Sequence, residues 1–389
     1  GAPRASIAMG RGDHEAAERT LGNCFTMQII VSVVLTAALL LWNRDFLMAF
    51  GASENTIDYG VAYMNIYAIG TIFVQLTLGM NAFITAQGFA KTGMLSVLIG
   101  AVANIILDPV FMFLLLPDGY EVLGAGIATC LSNCIACLYF LTVLARMGRQ
   151  SVITFRLGAG MAEKASVAAV FAVGIPSAVA SLLFDLDYIV IDRLIVSYHD
   201  LALAAIGIVL KVERFPLNVG IGICQGMMPL VAYSYAAGSH SRMKEIIRRS
   251  RGLGLLVAAV SITLYEIFAP QFVRIFISDA QTVEMASRFL RIRVLATPLM
   301  FLSFFTVYLF QAFGMGRKSL FLGVTRWLVF NIPMLFLLNA VFGMYGIVWS
   351  QAAADVFTVA LSFYVYGKYG PTARAPEKAS GGGKVQKSL

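Results

Sequence analysis

A carboxylate inside an apolar run is the first feature of this sequence that calls for a chemical explanation. Asp108 lies in Asn104-Ile-Ile-Leu-Asp108-Pro109. The i, i+4 spacing places Asn104 and Asp108 on one helical face. Pro109 has no N–H to give to the helix ladder, which can leave a carbonyl free for an ion. A charged side chain at membrane depth is costly and marks an ion or substrate pathway. The competing reading makes Asp108 a cap or interfacial residue at the outer end of its helix.

A second set lies downstream. Asp185, Asp187 and Asp192 share one apolar run. Asp185 and Asp192, seven apart, fall on one face, and Asp187 points elsewhere. A buried Asp here would be a proton or cation site, or a counter-charge for a cationic substrate. The alternative pairs Asp185 or Asp187 with Lys211 or Arg214. Lys211, Glu213 and Arg214 cluster before Pro216, as in a water-filled cavity or, the favoured reading, an ion-pair network. Gln75, Asn81, Gln87, Gln225, Gln311, Asn331, Gln351 and Asp355 are polar residues in or at the ends of apolar runs. Most are expected to bond between helices, at about 0.6 kcal/mol each. A few, with Gln225 the foremost candidate, would line a cavity, and some of the 28 Phe and 17 Met would give it an adaptable wall.

These groups need elements that hold them in lipid. The chain has 389 residues, 59% hydrophobic and only 13% charged, with mean hydropathy +0.80. A soluble domain is about 25% charged, so the bilayer is the solvent that fits. The net charge of +8 is spread over short loops rather than gathered on one face, which argues against nucleic acid. Ten runs approach the roughly 20 residues of a span: 23–43, 61–84, 93–116, 123–146, 166–192, 203–235, 253–276, 290–313, 320–341 and 345–367. The run 203–235 is expected to break at Pro216. Helices are the only spanning element these runs suit.

Every second loop is basic: Arg4, Arg11 and Arg19; Lys91; Arg146, Arg149, Arg156 and Lys164; Arg242 to Arg251; Arg317 and Lys318; then the Lys-containing tail. The intervening loops carry Asp45, Glu54 and Asp58; Asp118 and Glu121; Asp200; and Asp279 and Glu284. The basic side and the C-terminus are therefore placed in the cytoplasm. Cys130, Cys134 and Cys137 read as small packing residues, and His14, His199 and His240 fall in or near loops. Neither set forms a metal or catalytic centre, and no cofactor is expected.

The chain also repeats itself. Pro3 matches Pro229 and Gly12 matches Gly238, and Phe46–Phe50 lies against Phe272–Phe276, all at an offset of 226. Gln87-Gly88-Phe89 is set against Gln311-Ala312-Phe313, Lys91 against Lys318, Asn104 against Asn331, and Gly126-Ile127 against Gly346-Ile347. Internal repeats are a hallmark of secondary transporters. By this register, about two helices are expected ahead of Gly1, in a parent of two six-helix bundles. The expected division is an N-lobe at 1–150, a cytoplasmic linker at 151–165, a C-lobe at 166–367 and a disordered cytoplasmic tail at 368–389.

The runs Gly1-Ala-Pro-Arg-Ala-Ser-Ile-Ala-Met-Gly-Arg-Gly-Asp13, Gln87-Gly-Phe-Ala-Lys-Thr92, Asn104–Pro109 and Gln225-Gly-Met-Met-Pro229-Leu-Val-Ala-Tyr-Ser-Tyr235, in that order, resemble the multidrug and toxic compound extrusion (MATE) transporters. The likeness covers roughly 1–367 and is closer to the bacterial MepA/DinF-like branch than to the NorM branch. It implies an all-α, V-shaped bundle of two six-helix pseudo-repeats, with ten to eleven of twelve helices in this chain. It implies export of organic, often cationic, compounds in exchange for Na+ or H+ by a multi-pass, monomeric protein of the bacterial plasma membrane. It further implies a cation site at Asn104, Asp108 and Thr129, whose fourth member in the family is an Asp on the first helix, absent from this chain.

Three other readings compete. A lipid-linked oligosaccharide flippase shares the architecture but calls for more cationic groups than Lys211 and Arg214. An intramembrane enzyme would need a nucleophile–base pair or metal cluster that the sequence does not offer. A channel would need a filter or a ring of charges from several subunits.

Overall fold

The computed structural model describes residues 1–49, 54, 56–117, 119–147, 164–198 and 200–371. Most of the expected linker, the tail from 372 onward, Asp118 and His199 lie outside these residues. Every regular element among the described residues is helical, which is how a chain in lipid satisfies its own backbone. The elements are α1 (Ala2–Gly10), α2 (His14–Leu41), α3 (Asn43–Ala49), α4 (Ile57–Ala86), α5 (Ala90–Pro109), α6 (Glu121–Met147), α7 (Lys164–Val196), α8 (Asp200–Ala236), α9 (His240–Arg274), α10 (Ala280–Val294), α11 (Thr297–Ala312), α12 (Gly316–Val324), α13 (Ile332–Phe342) and α14 (Met344–Tyr369). Val110–Leu115 continues α5 as a π-helix, and Thr325–Asn331 joins α12 to α13 as another. Nine stretches among the described residues are long and apolar enough to span a membrane, and α10 with α11 makes a tenth if that bent pair is one span.

Two expectations need correction. Pro216 does not break its run, because α8 continues from Asp200 to Ala236. Neighbouring helices and local adjustment make an interior Pro tolerable in lipid. The break falls instead in the run 290–313, between α10 and α11, with a bend of 47°. The amide of Ala296 turns back to the carbonyl of Arg293 there, and Pro298 sits in the first turn of α11, a position that needs no N–H.

The repeat is visible in the backbone. Gly12 (φ 78°) and Gly238 (φ 69°) occupy equivalent inter-helix turns, as do Gly88 (φ 94°) and Gly314 (φ 72°). Both pairs are 226 residues apart, so Gly314 replaces Ala312 as the partner of Gly88. Asn104 and Asn331 are 227 apart, one residue more. The π-helix Thr325–Asn331 lies between Gly314 and Asn331, and a π turn takes up one residue more than an α turn.

The described residues form two compact units by their contacts: 1–175 with 225–248 and 311–314, and 176–224 with 249–310 and 315 onward. In the first, α1 buries Ala2, Ala5 and Met9 against Leu21 and Phe25 of α2, Met80 and Phe83 of α4 and Phe140 of α6. In the second, Ile191 and Ile195 of α7, Val209 of α8, Tyr265 of α9, Phe289 of α10, Leu335 of α13 and Ile347 of α14 share one core. Asp279 caps α10, accepting from the backbone N (2.8 Å) and Oγ1 (2.7 Å) of Thr282. Those bonds hold its carboxyl below the usual Asp range.

Close helix approach rests on glycine. A Cβ on Gly124 would meet the carbonyl oxygen of Phe111 at 2.6 Å, and one on Gly346 would collide with the carbonyl of Leu338. Phe111 and Leu338 are 227 apart, so Gly124, not Gly126, is the structural counterpart of Gly346. Backbone cannot rotate away as a side chain can. Gly346→Ala is therefore expected to lower stability by about 1–3 kcal/mol. Gly207→Ala, where nothing lies within 4 Å, should be neutral or slightly stabilising. Equal melting temperatures for the two variants in detergent would contradict this account of the α13–α14 packing.

Candidate functional site

In the first unit the end of α5 meets α6. Asn104 and Asp108 are one turn apart on α5, and the Asn104 side-chain amide donates to Asp108 Oδ1 at 3.0 Å. The same amide reaches Thr129 Oγ1 on α6 at 3.5 Å. The Thr129 hydroxyl donates to the carbonyl of Ala125 at 2.8 Å, which aims its lone pairs outward. All three side chains are half-buried. Pro109 follows at once, and the backbone passes into its π-helical segment. The structure thus brings together a carboxylate, an amide and a hydroxyl that are 4 and 25 residues apart in sequence. Oxygen ligands of this kind suit a hard monovalent cation, and the carboxylate alone can carry a proton. A separate cavity of about 610 Å³ in this unit is lined elsewhere, by Arg4, Arg11, Arg19, Thr20, Gln311 and Phe313 among others.

The second unit holds a buried charge network. Arg293, at the end of α10, grips Glu213 of α8 with both arms of its fork, at 2.7 and 2.8 Å. It also reaches Gln351 Oε1 of α14 at 3.3 Å. Gln351 in turn donates to Asp355 one turn on, at 3.2 Å. Arg326, in the π-helix, pairs with Asp355 at 3.0 Å, with side chains only 3% and 2% exposed. Its guanidinium lies over the rings of Phe304 (4.4 Å) and Trp327 (4.6 Å). Asp187 of α7 is buried and accepts from the Asn331 amide at 2.5 Å. Three carboxylates thus share this interior with two guanidiniums. Such burial is tolerable only with close pairing, since the desolvation cost of an isolated charge is several kcal/mol. Nη1 of each arginine and Oδ1 of Asn331 have no hydrogen-bond partner among the described protein atoms.

The remaining candidates are placed less centrally. Asp185, Lys211 and Gln225 are exposed and, among the described residues, take no part in this network. Arg214 lies over the Tyr188 ring at 4.6 Å rather than against a carboxylate. Glu213 pairs with a residue 80 positions away, not with its sequence neighbours Lys211 and Arg214. The neighbours project to other sides of α8, because successive residues turn by 100°.

Arg293 and Arg326 were not singled out from sequence. Arg326 carried a signal, a lone cation in the apolar run 320–341. Arg293 carried none, since Arg291 two residues earlier looks the same, yet its side chain is 42% exposed against 2% for Arg293.

Comparison with known proteins follows the same lines. The MatE family model matches residues 1–110 and 176–337. The multidrug export protein MepA of Staphylococcus saprophyticus is 28% identical over 341 residues, 87% of this chain and 74% of that protein. MepA of Staphylococcus aureus (strain MSSA476) is 27% identical over 330 residues, 84% of this chain and 71% of that protein. An outward-facing structure of a multidrug resistance MATE family transporter of the MOP superfamily superposes with TM-score 0.87 at 19% identity, over 94% of this chain and 81% of that one. A MOP superfamily transporter from Pyrococcus furiosus, described as having a binding pocket of reverse polarity, gives TM-score 0.85 at 19% identity, over 93% and 82%. At that identity the two structures bear on the fold alone.

Proposed function

The chain belongs to the MatE family of multi-pass helical membrane transporters, and on that premise we propose that it is a secondary antiporter exporting organic cations from a bacterial cell. Inward movement of Na+ or H+ drives the export. Residues 1–150 and 166–367 act as the two lobes of a monomer, with the C-terminus in the cytoplasm. The observation that carries the proposal is the contact of Asn104, Asp108 and Thr129 across α5 and α6. Binding of a cation or proton neutralises Asp108, and an ion can shift a two-state equilibrium only by its differential affinity for the states. Return of the negative charge then favours the state that takes up a cationic substrate. Asp187 and Glu213 supply the second-half charge. The relatives' printed function, multidrug export, supports the substrate class, and the flippase reading gains no support from them.

The test is uphill transport. Proteoliposomes holding the protein are given a Na+ or pH gradient, and accumulation of a fluorescent organic cation is followed. The expected result is accumulation above equilibrium that collapses when the driving gradient is removed. Movement of the dye only down its own gradient would instead describe a channel.

A further inference from the structure

The search for unassigned chemistry ends at the start of α9. At 100° per residue, Arg242, Arg249, Leu253, Leu256, Val260 and Ile267 fall within about 40° of one helix face. The four apolar side chains are 49–59% exposed, and both arginines are exposed. In a chain that spans a membrane, an exposed apolar stripe is a lipid-contact face. From Leu253 to Ile267 it rises about 21 Å, most of a hydrocarbon core of about 30 Å. Arg249 lies one turn before the stripe begins, about 6 Å below Leu253, at headgroup depth. Arg242 stands about 10 Å further along the same line.

We propose that Arg242 and Arg249 bind the phosphate of an anionic phospholipid headgroup. A guanidinium holds phosphate oxygens through paired N–H donors, and long side chains reach the interface while their stems stay apolar. Arg249 also interacts within the protein, which steadies it, and its five N–H donors exceed what one partner uses. Lys244, Arg248 and Arg251 form a second exposed row, at i, i+4, i+7 on the far side of the same helix. No stripe of large exposed apolar residues continues that row. A headgroup therefore meets the first row and not the second. The leaflet is the cytoplasmic one if the orientation proposed above holds, but the clamp does not depend on it.

The test reads lipid retention by native mass spectrometry. The whole protein is extracted from vesicles of phosphatidylglycerol and phosphatidylcholine in equal parts. Wild type is expected to keep phosphatidylglycerol preferentially. Each basic residue near a membrane surface contributes roughly fivefold, so R242Q/R249Q should lower that preference about thirtyfold, and R242Q alone about fivefold. K244Q/R248Q/R251Q should retain it. The proposal is overturned if the double variant keeps the wild-type preference, if the second-row variant loses as much, or if millimolar inorganic phosphate displaces the lipid, which would mark a small-anion site. Melting temperatures exclude misfolding as the cause, and R242Q alone serves if the double variant does not fold. No transport is measured, so failure here leaves the antiport reading intact, and the reverse also holds.

Discussion

Arg326→Met is expected to destabilise the protein by about 3–5 kcal/mol, the usual cost of leaving one member of a buried ion pair uncompensated. Asp355 would lose its 3.0 Å partner and keep only the weaker donor of Gln351. It is 1% exposed, so water cannot take the guanidinium's place. The rings of Phe304 and Trp327 would lose a cation over their faces. That adds about 1–2 kcal/mol of attraction at a desolvated site. The double variant Arg326→Met/Asp355→Leu should recover most of the loss, because two apolar residues of similar volume remove both desolvation costs. Unfolding in detergent followed by intrinsic fluorescence checks both. A single variant within about 1 kcal/mol of wild type would mean that the pair is hydrated or open in the folded state.

The second large effect concerns transport. Asp108→Asn is expected to reduce gradient-driven export by about tenfold to a hundredfold, the size of a typical coupling free energy, with little change in stability. Asparagine keeps the shape and can still accept from the Asn104 amide, so α5 and α6 should stay packed. What it cannot do is change charge. Thr129→Ala removes one oxygen and leaves the carboxylate, so its loss should be smaller. If Na+ is the ion, the Thr129 variant should need more Na+ for half-maximal export; if H+ is the ion, its pH profile should hardly move. Wild-type export by the Asp108→Asn variant would remove this carboxylate from the mechanism.

Much of this architecture could be read from composition and repetition. Lipid allows only a few backbone solutions, so apolar runs of span length translate directly into helices. The 226-residue offset survived because equivalent turns need the same left-handed glycine, as at Gly12 and Gly238. Where the reading slipped, it slipped by single residues. Gly88 was set against Ala312, and Gly126 against Gly346, because a linear offset cannot register a π turn or a shortened loop.

What the sequence by itself determined was a repeated bundle of membrane helices and the i, i+4 pairing of Asn104 with Asp108, since both follow from local periodicity and the cost of exposing polar groups to lipid. The tertiary structure alone decided which charges meet. Glu213 passes over its neighbours for Arg293, 80 residues away, and Asp187 finds Asn331 across 144 residues. The physical reason is that a buried charge must be paired by whatever the packing of distant helices brings within about 3 Å. Spacing along one chain segment carries no record of that packing.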